Sequence, residues 1–208
     1  MSRLLLQNLQ INMINFPINA IILDTGPLFA ILYLHAQSNR YDRLPEPEKN
    51  KILDKAFPLP KDRNYLIKEP GTKKGKYLTF FDSIKTIITT SHVIGELKRH
   101  ADKAIASLPK ELKIAELEQF WDSSVEFLKK KNFDECLIRL LSDIYDDSHK
   151  LGIEKKLLPI IGPVDFGLIS LALRNMNYTF FTFDEILLEK AKKQGISYYI
   201  QLEDILLQ

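Results

Sequence analysis

Four short runs of β-branched and apolar residues alternate with longer segments that have the periodicity of amphipathic helices. The predicted strands are residues 20–23, 85–90, 178–183 and 196–200. Strands that alternate with helices are typical of parallel sheets, because one parallel strand reaches the next through a long crossover that is usually helical. The alternation therefore predicts an α/β domain with a doubly wound, parallel central sheet.

Helical periodicity and end signals predict the segments between these strands. Helices are expected over residues 25–37, 46–56, 91–106, 111–131, 134–150, 163–173, 185–193 and 202–207. Thr25 and Ser91 are candidate N-caps, and Gly195 is a stop signal for the helix before it. Five prolines within residues 38–76 predict an irregular loop after the short second helix, and residues 77–84 have a strand-like composition.

An acidic residue stands at the end of two strands and near the start of two helices. Asp24 and Asp184 end strands, Glu96 lies in the helix after the second strand, and Asp165 opens the helix after Pro163. The carboxyl ends of parallel strands form one rim of the sheet, and ligands bind there. Four carboxylates that meet at this rim repel one another unless a cation is bound, and oxygen-only sites prefer Mg²⁺ or Mn²⁺. The pattern therefore predicts metal-assisted cleavage of a phosphodiester.

Each acid also has a purely structural interpretation. Asp165 and Asp184 could cap or charge-complement the starts of helices, and Glu96 could be a surface residue of an amphipathic helix. Asp24 is the hardest to explain in this way, because an acid that directly continues an apolar strand needs a partner. The presence of all four acids together favours the functional interpretation.

Composition restricts the class of protein only loosely. The 208 residues suffice for one domain with insertions, and 29 basic against 27 acidic residues do not indicate a nucleic-acid binder by overall charge. The single cysteine, Cys136, excludes an intramolecular disulfide and favours a reducing compartment. No apolar run has the length of a membrane span, and residues 1–12 lack the features of a signal peptide, so we expect a cytoplasmic protein.

The chain resembles the PIN-domain nucleases in four segments that occur in the order of that family. These segments are Ile21–Leu28, Thr90–Leu97, Val164–Ala172 and Phe181–Asp184, with a further match at 191–200. The resemblance implies a PIN-like α/β/α sandwich with a central parallel sheet and an extra helical region. In this interpretation residues 1–19 are an N-terminal extension, and residues 20–208 are the domain, with insertions at about 38–84 and 107–156.

The resemblance also implies an activity, namely divalent-metal-dependent hydrolysis of RNA with Mg²⁺ or Mn²⁺ as the cofactor. The implied catalytic and metal-binding residues are Asp24, Glu96, Asp165 and Asp184, with Thr25 and Thr182 as polar neighbours of the pocket. The substrate would be single-stranded or structured RNA, and the resemblance admits a homodimer and an inhibitory protein partner. The chain is longer than the small toxin-type members of the family, so the resemblance leaves toxin function and substrate preference open.

Basic residues in two places are candidate contacts to nucleic acid. Lys73 and Lys74 belong to a basic segment with interleaved tyrosines, which can track phosphates and stack bases. Lys98 and Arg99 lie on the predicted helix that carries Glu96. The structural alternatives are a solvated loop for the first pair and a water-exposed helix face for the second.

Other functions are compatible with the same acids. One is a non-catalytic nucleic-acid-binding or scaffolding PIN-like protein, and another is a structure-specific DNA nuclease. RNA is favoured over DNA because no long basic arch or helix-hairpin-helix is evident. A phosphatase that forms an aspartyl phosphate is disfavoured, because it needs a second acid two residues after Asp24, where Gly26 stands.

Overall fold

The computed structural model describes residues 18, 20–38, 50–51, 53–55, 57–59, 66, 71–107, 127–128, 130, 134–136 and 158–207. Within these ranges one sheet contains the strands β1 (Ala20–Leu23), β2 (Thr86–Thr90), β3 (Asp134–Cys136), β4 (Thr179–Phe181) and β5 (Tyr199–Ile200). The strand order is β3-β2-β1-β4-β5, and every neighbouring pair is parallel. The predicted α/β class with a parallel sheet is confirmed.

Helices connect the strands and cover the sheet. In the described residues they are α1 (Thr25–Ser38), α2 (Thr72–Ser83), α3 (Ser91–Ala106), α4 (Leu158–Arg174), α5 (Glu185–Lys193) and α6 (Leu202–Leu207). Helix α1 carries a continuous buried run from Leu28 to Leu34, and β1 is fully buried from Ile21 to Leu23. An apolar central strand followed by an apolar helix is the expected outcome when both faces of a parallel sheet are covered.

The order of the strands creates a switch point beside β1. The chain proceeds from β1 to β2 and β3 on one side, and then returns to place β4 and β5 on the other. Leu23 is paired with Phe181, so the residues that follow them, Asp24 and Thr182, leave the sheet side by side. In open α/β sheets the crevice at such a switch point, outside the carboxyl ends of the strands, is where ligands bind.

Helix α2 corrects the prediction of loop and strand-like structure across residues 72–84. Its buried residues Tyr77, Phe80 and Phe81 recur at helical spacing and face the core. The aromatic composition suggested a strand, but packing decides the outcome, because Tyr77 and Phe81 contact each other and both contact the ring of Phe181. The buried Tyr77 hydroxyl donates to the backbone carbonyl of Pro27 at 3.1 Å, which fixes α2 against α1.

Strand β3 corrects the prediction of a helix that begins at residue 134. Asp134, Glu135 and Cys136 pair with Ile88, Thr89 and Thr90 of β2 as the last strand on that side of the sheet. Two of its three residues are acidic, and such short, polar sequences are typical of edge strands. The region 107–156 is therefore not all-helical. Most of the predicted helix over 111–131, and all of the one over 134–150 beyond Cys136, lie outside the described residues, as do residues 1–17 of the N-terminal extension.

The predicted bounds of α1, α3 and α5 agree with the structure to within one residue, whereas α4 begins at Leu158, five residues before its predicted start. Gly195 has a φ of 94° and follows α5, and the Ile196 amide donates to the Ala191 carbonyl at 3.2 Å, which closes the helix end. Helix α4 contains a break at Gly162, where φ is 79°, so a regular helix restarts directly before Asp165. No helix in the described ranges is long and apolar enough to cross a membrane.

Candidate functional site

Asp24 is the first residue after β1 and is held by both backbone and side chain. Its amide donates to the Phe181 carbonyl at 3.2 Å, which prolongs the pairing of β1 with β4. Its carboxylate accepts from the Thr25 amide at 2.6 Å and from the Thr182 hydroxyl at 2.7 Å. Burial raises the pKa of Asp24, these two hydrogen bonds oppose the rise, and the charges of Asp184 and Glu96 add to it.

Glu96 comes from α3, and its carboxylate is divided between two partners. One oxygen accepts from the Thr25 hydroxyl at 2.7 Å. The other lies 3.4 Å from the guanidinium of Arg99, one helical turn further along α3, in an exposed pair. The hydroxyl of Thr25 therefore connects the start of α1 to α3 and fixes the side chain of Glu96.

Asp184 fulfils the structural role that its position predicts. It is the N-cap of α5, and one carboxylate oxygen accepts from the amides of Ile186 and Leu187 at 2.8 and 3.0 Å. Its own amide donates to the Thr182 hydroxyl at 3.0 Å. The cap fixes the carboxylate, and its charge raises the pKa of both Asp24 and Asp165. Asp184 is therefore a helix cap that also belongs to the electrostatic cluster.

Asp165 differs from the other three acids because no hydrogen-bond donor in the described part of the chain reaches its carboxylate. It is partly buried in the first turn of the regular part of α4. Burial raises its pKa to about 7, and the charges of Asp24, Asp184 and Glu96 contribute in that order. All four predicted acids thus interact electrostatically at the carboxyl edge of the sheet.

Thr25 and Thr182 join the acids into one hydrogen-bonded chain. Thr25 donates its amide to Asp24 and its hydroxyl to Glu96. Thr182 donates its hydroxyl to Asp24 and accepts from the amide of Asp184. The resemblance implied only that these threonines border the pocket, whereas the structure gives each of them two specific contacts to acids.

The acidic cluster is not a ready-made metal cage in the part of the chain that the structure describes. In the ranges that the structure describes, no group of three or more histidine, cysteine, aspartate or glutamate side chains is arranged to hold a metal ion by itself. The donor set nevertheless suits a hard cation, because every nearby side-chain ligand is an oxygen. Mg²⁺ commonly uses one or two carboxylates and completes its shell with waters and substrate phosphates. The predicted Mg²⁺ or Mn²⁺ site stays a prediction.

A basic groove runs along α3, away from the cluster. It has a volume of about 500 Å³, and the described residues that line it are Gly95, Lys98, Arg99, Asp102, Lys103 and Ala106. Two of the predicted nucleic-acid contacts, Lys98 and Arg99, therefore lie in one groove. Lys103 was not among the predicted contacts, although its spacing of four residues from Arg99 places both on the same helix face.

The other two predicted contacts, Lys73 and Lys74, lie in the first turn of α2. The ammonium group of Lys74 donates to the side-chain oxygen of Gln37 at 2.6 Å. Gln37 is at the far end of α1 from Thr25, twelve residues or roughly 18 Å along the helix axis. The structure thus does not bring Lys74 together with the acids, whereas Lys98 and Arg99 lie within one turn of Glu96.

The sequence was also compared with known proteins. Comparison with protein-family models, with curated proteins and with solved structures found no match to this chain.

Proposed function

We propose that this protein is a divalent-metal-dependent ribonuclease of the PIN type, which hydrolyses RNA phosphodiester bonds at the acidic cluster. The observation that carries the proposal is Asp165, a partly buried acid that lacks a donor among the described residues and has three further carboxylates around it. A carboxylate in such a place must either keep its proton or share its charge with a cation. Raised pKa values in clusters of carboxylates are common at functional sites.

The four acids differ in how available they are. Asp184 uses one oxygen to cap α5, and Glu96 shares its two oxygens between Thr25 and Arg99. Asp24 has one donor on each oxygen, and Asp165 has none in the described part of the chain. We therefore assign direct contact with the cation to Asp165 and Asp24, and the orientation of the site to Glu96 and Asp184.

A bound divalent ion would supply positive charge against the phosphate and increase the acidity of a bound water. The remaining requirements fall on this chain's own side chains. Thr25 and Thr182 hold the carboxylates of Glu96 and Asp24 in fixed orientations, because each hydroxyl donates a single short hydrogen bond. The hydrogen bonds to Asp24 also oppose the rise of its pKa that burial causes.

Two observations support RNA as the substrate. The resemblance to PIN-domain nucleases covers about residues 20–36, 85–100 and 160–201, and these segments include the four acids of the cluster. The basic groove along α3 begins next to Glu96 and offers a place for the sugar-phosphate backbone on either side of a cleaved bond. A metal ion held by acids would promote hydrolysis of a phosphodiester, and basic residues beside it would bind the neighbouring phosphates.

The test is cleavage of a fluorescently labelled single-stranded RNA by purified protein, with Mg²⁺, with Mn²⁺ and with a chelator. We expect hydrolysis only with metal, and Asp24→Asn is expected to reduce it by at least about 100-fold, since loss of an oriented charged group commonly has such an effect. Glu189→Gln, an exposed acid on α5 away from the cluster, is the control and should retain activity.

Two results would contradict the proposal. One is an Asp24→Asn protein that cleaves with undiminished metal dependence after contaminating nucleases have been excluded. The other is the absence of Mn²⁺ binding by calorimetry at millimolar metal, which would leave a non-catalytic role in RNA binding or scaffolding.

A further inference from the structure

The last residue of β1 is bonded to β2 through a side chain. The backbone register of the two strands ends where Ile22 is paired with Ile88. Beyond that pair, the hydroxyl of Thr89 donates to the carbonyl of Leu23 at 2.6 Å. Leu23 and Thr89 are both completely buried, so this hydrogen bond lies in a region of low dielectric, where it is stronger than in water.

The carbonyl of Leu23 belongs to the peptide group that carries Asp24. Because a peptide group is planar, the carbonyl of Leu23 and the amide of Asp24 turn together. The Asp24 amide donates to the carbonyl of Phe181 in β4 at 3.2 Å. The Leu23–Asp24 peptide group is therefore held at both ends, by a side chain of β2 and by the backbone of β4, and it cannot rotate without losing a hydrogen bond.

The surroundings of Thr89 restrict how far its hydroxyl can move. Strand β2 lies between β1 and β3, and Thr89 is paired with Glu135 of β3. Threonine is branched at Cβ, so its χ1 angle has few accessible values. The backbone direction at Asp24 is thus fixed from β2, while Thr25 and Thr182 fix the carboxylate.

We propose that Thr89 is a positioning residue of the metal site, and that its hydroxyl keeps the Asp24 carboxylate in the orientation in which it would bind the divalent ion. Thr89 acts through the Leu23–Asp24 peptide group, so it needs no contact with the ion or with the substrate. The inference rests on the proposed function for the presence of the ion. It goes beyond that function because it adds a buried residue of β2 to the site.

The test measures metal affinity separately from cleavage. The Kd for Mn²⁺ is determined by calorimetry for the unaltered protein, for Thr89→Val, which keeps the shape of threonine, and for Thr89→Ala, which places no methyl group against the Leu23 carbonyl. Both variants should raise Kd by about 10- to 100-fold, since loss of an outer-shell partner commonly has this effect. Thr89→Ser keeps the hydroxyl and should bind Mn²⁺ nearly as tightly as the unaltered protein.

The matched control removes the neighbouring hydroxyl of the same strand. Thr90 is also buried, and its hydroxyl accepts from the Val93 amide of α3 at 3.5 Å, so it serves the start of that helix. Thr90→Val makes the same change of hydroxyl to methyl and should leave the Kd for Mn²⁺ nearly unchanged. Urea unfolding of every variant separates a change in stability from a change in metal affinity.

A second measurement needs no metal. Hydrogen bonds at the two ends of one peptide group strengthen each other, so loss of the Thr89 hydroxyl should weaken the bond from the Asp24 amide to Phe181. Hydrogen exchange followed by NMR in chelator should show faster exchange of the Asp24 amide in Thr89→Val than in Thr90→Val or in the unaltered protein.

Three results would overturn the positioning role. These are an unchanged Kd for Mn²⁺ in both Thr89→Val and Thr89→Ala, an equal rise of Kd in Thr90→Val, or a failure of Thr89→Ser to restore binding. The first of these, together with metal-dependent hydrolysis by the unaltered protein, would leave the ribonuclease standing. Faster exchange of the Asp24 amide in Thr89→Val, with no Mn²⁺ binding by the unaltered protein, would instead refute the ribonuclease and leave Thr89 as the residue that holds Asp24.

Discussion

Replacement of Asp165 by asparagine should stabilise the metal-free protein at high pH. The pKa of Asp165 is about 7 in the folded protein, against an ordinary value of 3.8. Between these pH values the folded protein retains a proton that the unfolded chain has released. The stabilising contribution of this group is therefore fully present below about pH 3.8, decreases as the pH rises, and is lost above about pH 7.

The magnitude follows from the two pKa values. The difference between 7 and 3.8 is 3.2, and at 1.36 kcal/mol for each pH unit it corresponds to at most about 4 kcal/mol. Asp165 is only partly buried, and solvent screens part of this interaction, so we expect about 1 to 2 kcal/mol. Asparagine has nearly the same shape and carries no charge, so Asp165→Asn should be more stable by that amount at pH 8 and equally stable at pH 4.

The assay is urea unfolding followed by circular dichroism at several pH values in chelator. The midpoint should change while the dependence on urea concentration stays constant, because the surface exposed on unfolding is the same. Glu189→Gln, which removes an exposed carboxylate of α5, controls for the general effect of net charge. A variant that is less stable than the unaltered protein at pH 8, or a difference that is the same at every pH, would refute the reasoning.

Added Mg²⁺ should reverse the order of stability. A ligand at one hundred times its Kd stabilises the folded state by about 2.7 kcal/mol when it binds only that state, which exceeds the expected difference of about 1 to 2 kcal/mol. We expect this gain in stability at pH 8 for the unaltered protein. Asp165→Asn should gain little, because it lacks the negative charge of the carboxylate that is proposed to bind the metal. An equal gain in both proteins would exclude Asp165 from the metal site.

Two further substitutions test how the cluster is supported. Thr182→Val removes the hydroxyl that donates to Asp24 and accepts from the Asp184 amide. Urea unfolding should therefore show a loss of stability of about 1 to 3 kcal/mol, and NMR titration should show a higher pKa of Asp24. Thr182→Ser keeps the hydroxyl and should retain both the stability and the pKa. Gly26→Ala would place a Cβ only 3.0 Å from the Phe183 ring, whereas Gly75→Ala meets no atom within 4 Å. In urea unfolding, Gly75→Ala should be more stable than the unaltered protein by up to about 1 kcal/mol. Gly26→Ala should be less stable than Gly75→Ala by about 1 kcal/mol or more. Unchanged stability of Gly26→Ala, together with unchanged NMR signals of Phe183, would contradict this expectation.

The parallel sheet and the meeting of the acids could be predicted because they depend on local patterns. Apolar runs such as Ile21–Leu23 can only be buried, and the residue after each run must lie at the carboxyl edge. The register of β1 with β4 then places Asp24 beside Thr182, and no further information is needed. The four acids belong to different elements of the chain, and the fold brings them together at one edge of the sheet.

Helix α2 and strand β3 could not be predicted, because their conformation depends on distant partners. The aromatic residues of α2 suit a strand or a helix equally, and the ring of Phe181, about one hundred residues later, selects the helix. Asp134 to Cys136 become a strand because the free edge of β2 supplies the hydrogen bonds. Short segments have weak intrinsic preferences, so tertiary contacts determine them.

The predicted site was incomplete in a different way. The sequence identifies the charged residues. It does not show which of the acids accept hydrogen bonds. Lys103 could have been found from its spacing to Arg99 on one helix face. The position of Lys74 beside Gln37 could not, since it depends on how α2 crosses α1.

The acids of this chain differ in whether backbone amides of the described residues stabilise their charge. Asp184 and Asp204 both stand near helix starts, and both accept hydrogen bonds from backbone amides. Asp165 also stands at a helix start, yet it accepts no hydrogen bond from the described residues, and burial together with three like charges works against its ionised form. An acid selected only for stability would lower the free energy of the fold at neutral pH, and Asp165 raises it. Under the proposed function, a bound cation would relieve this repulsion.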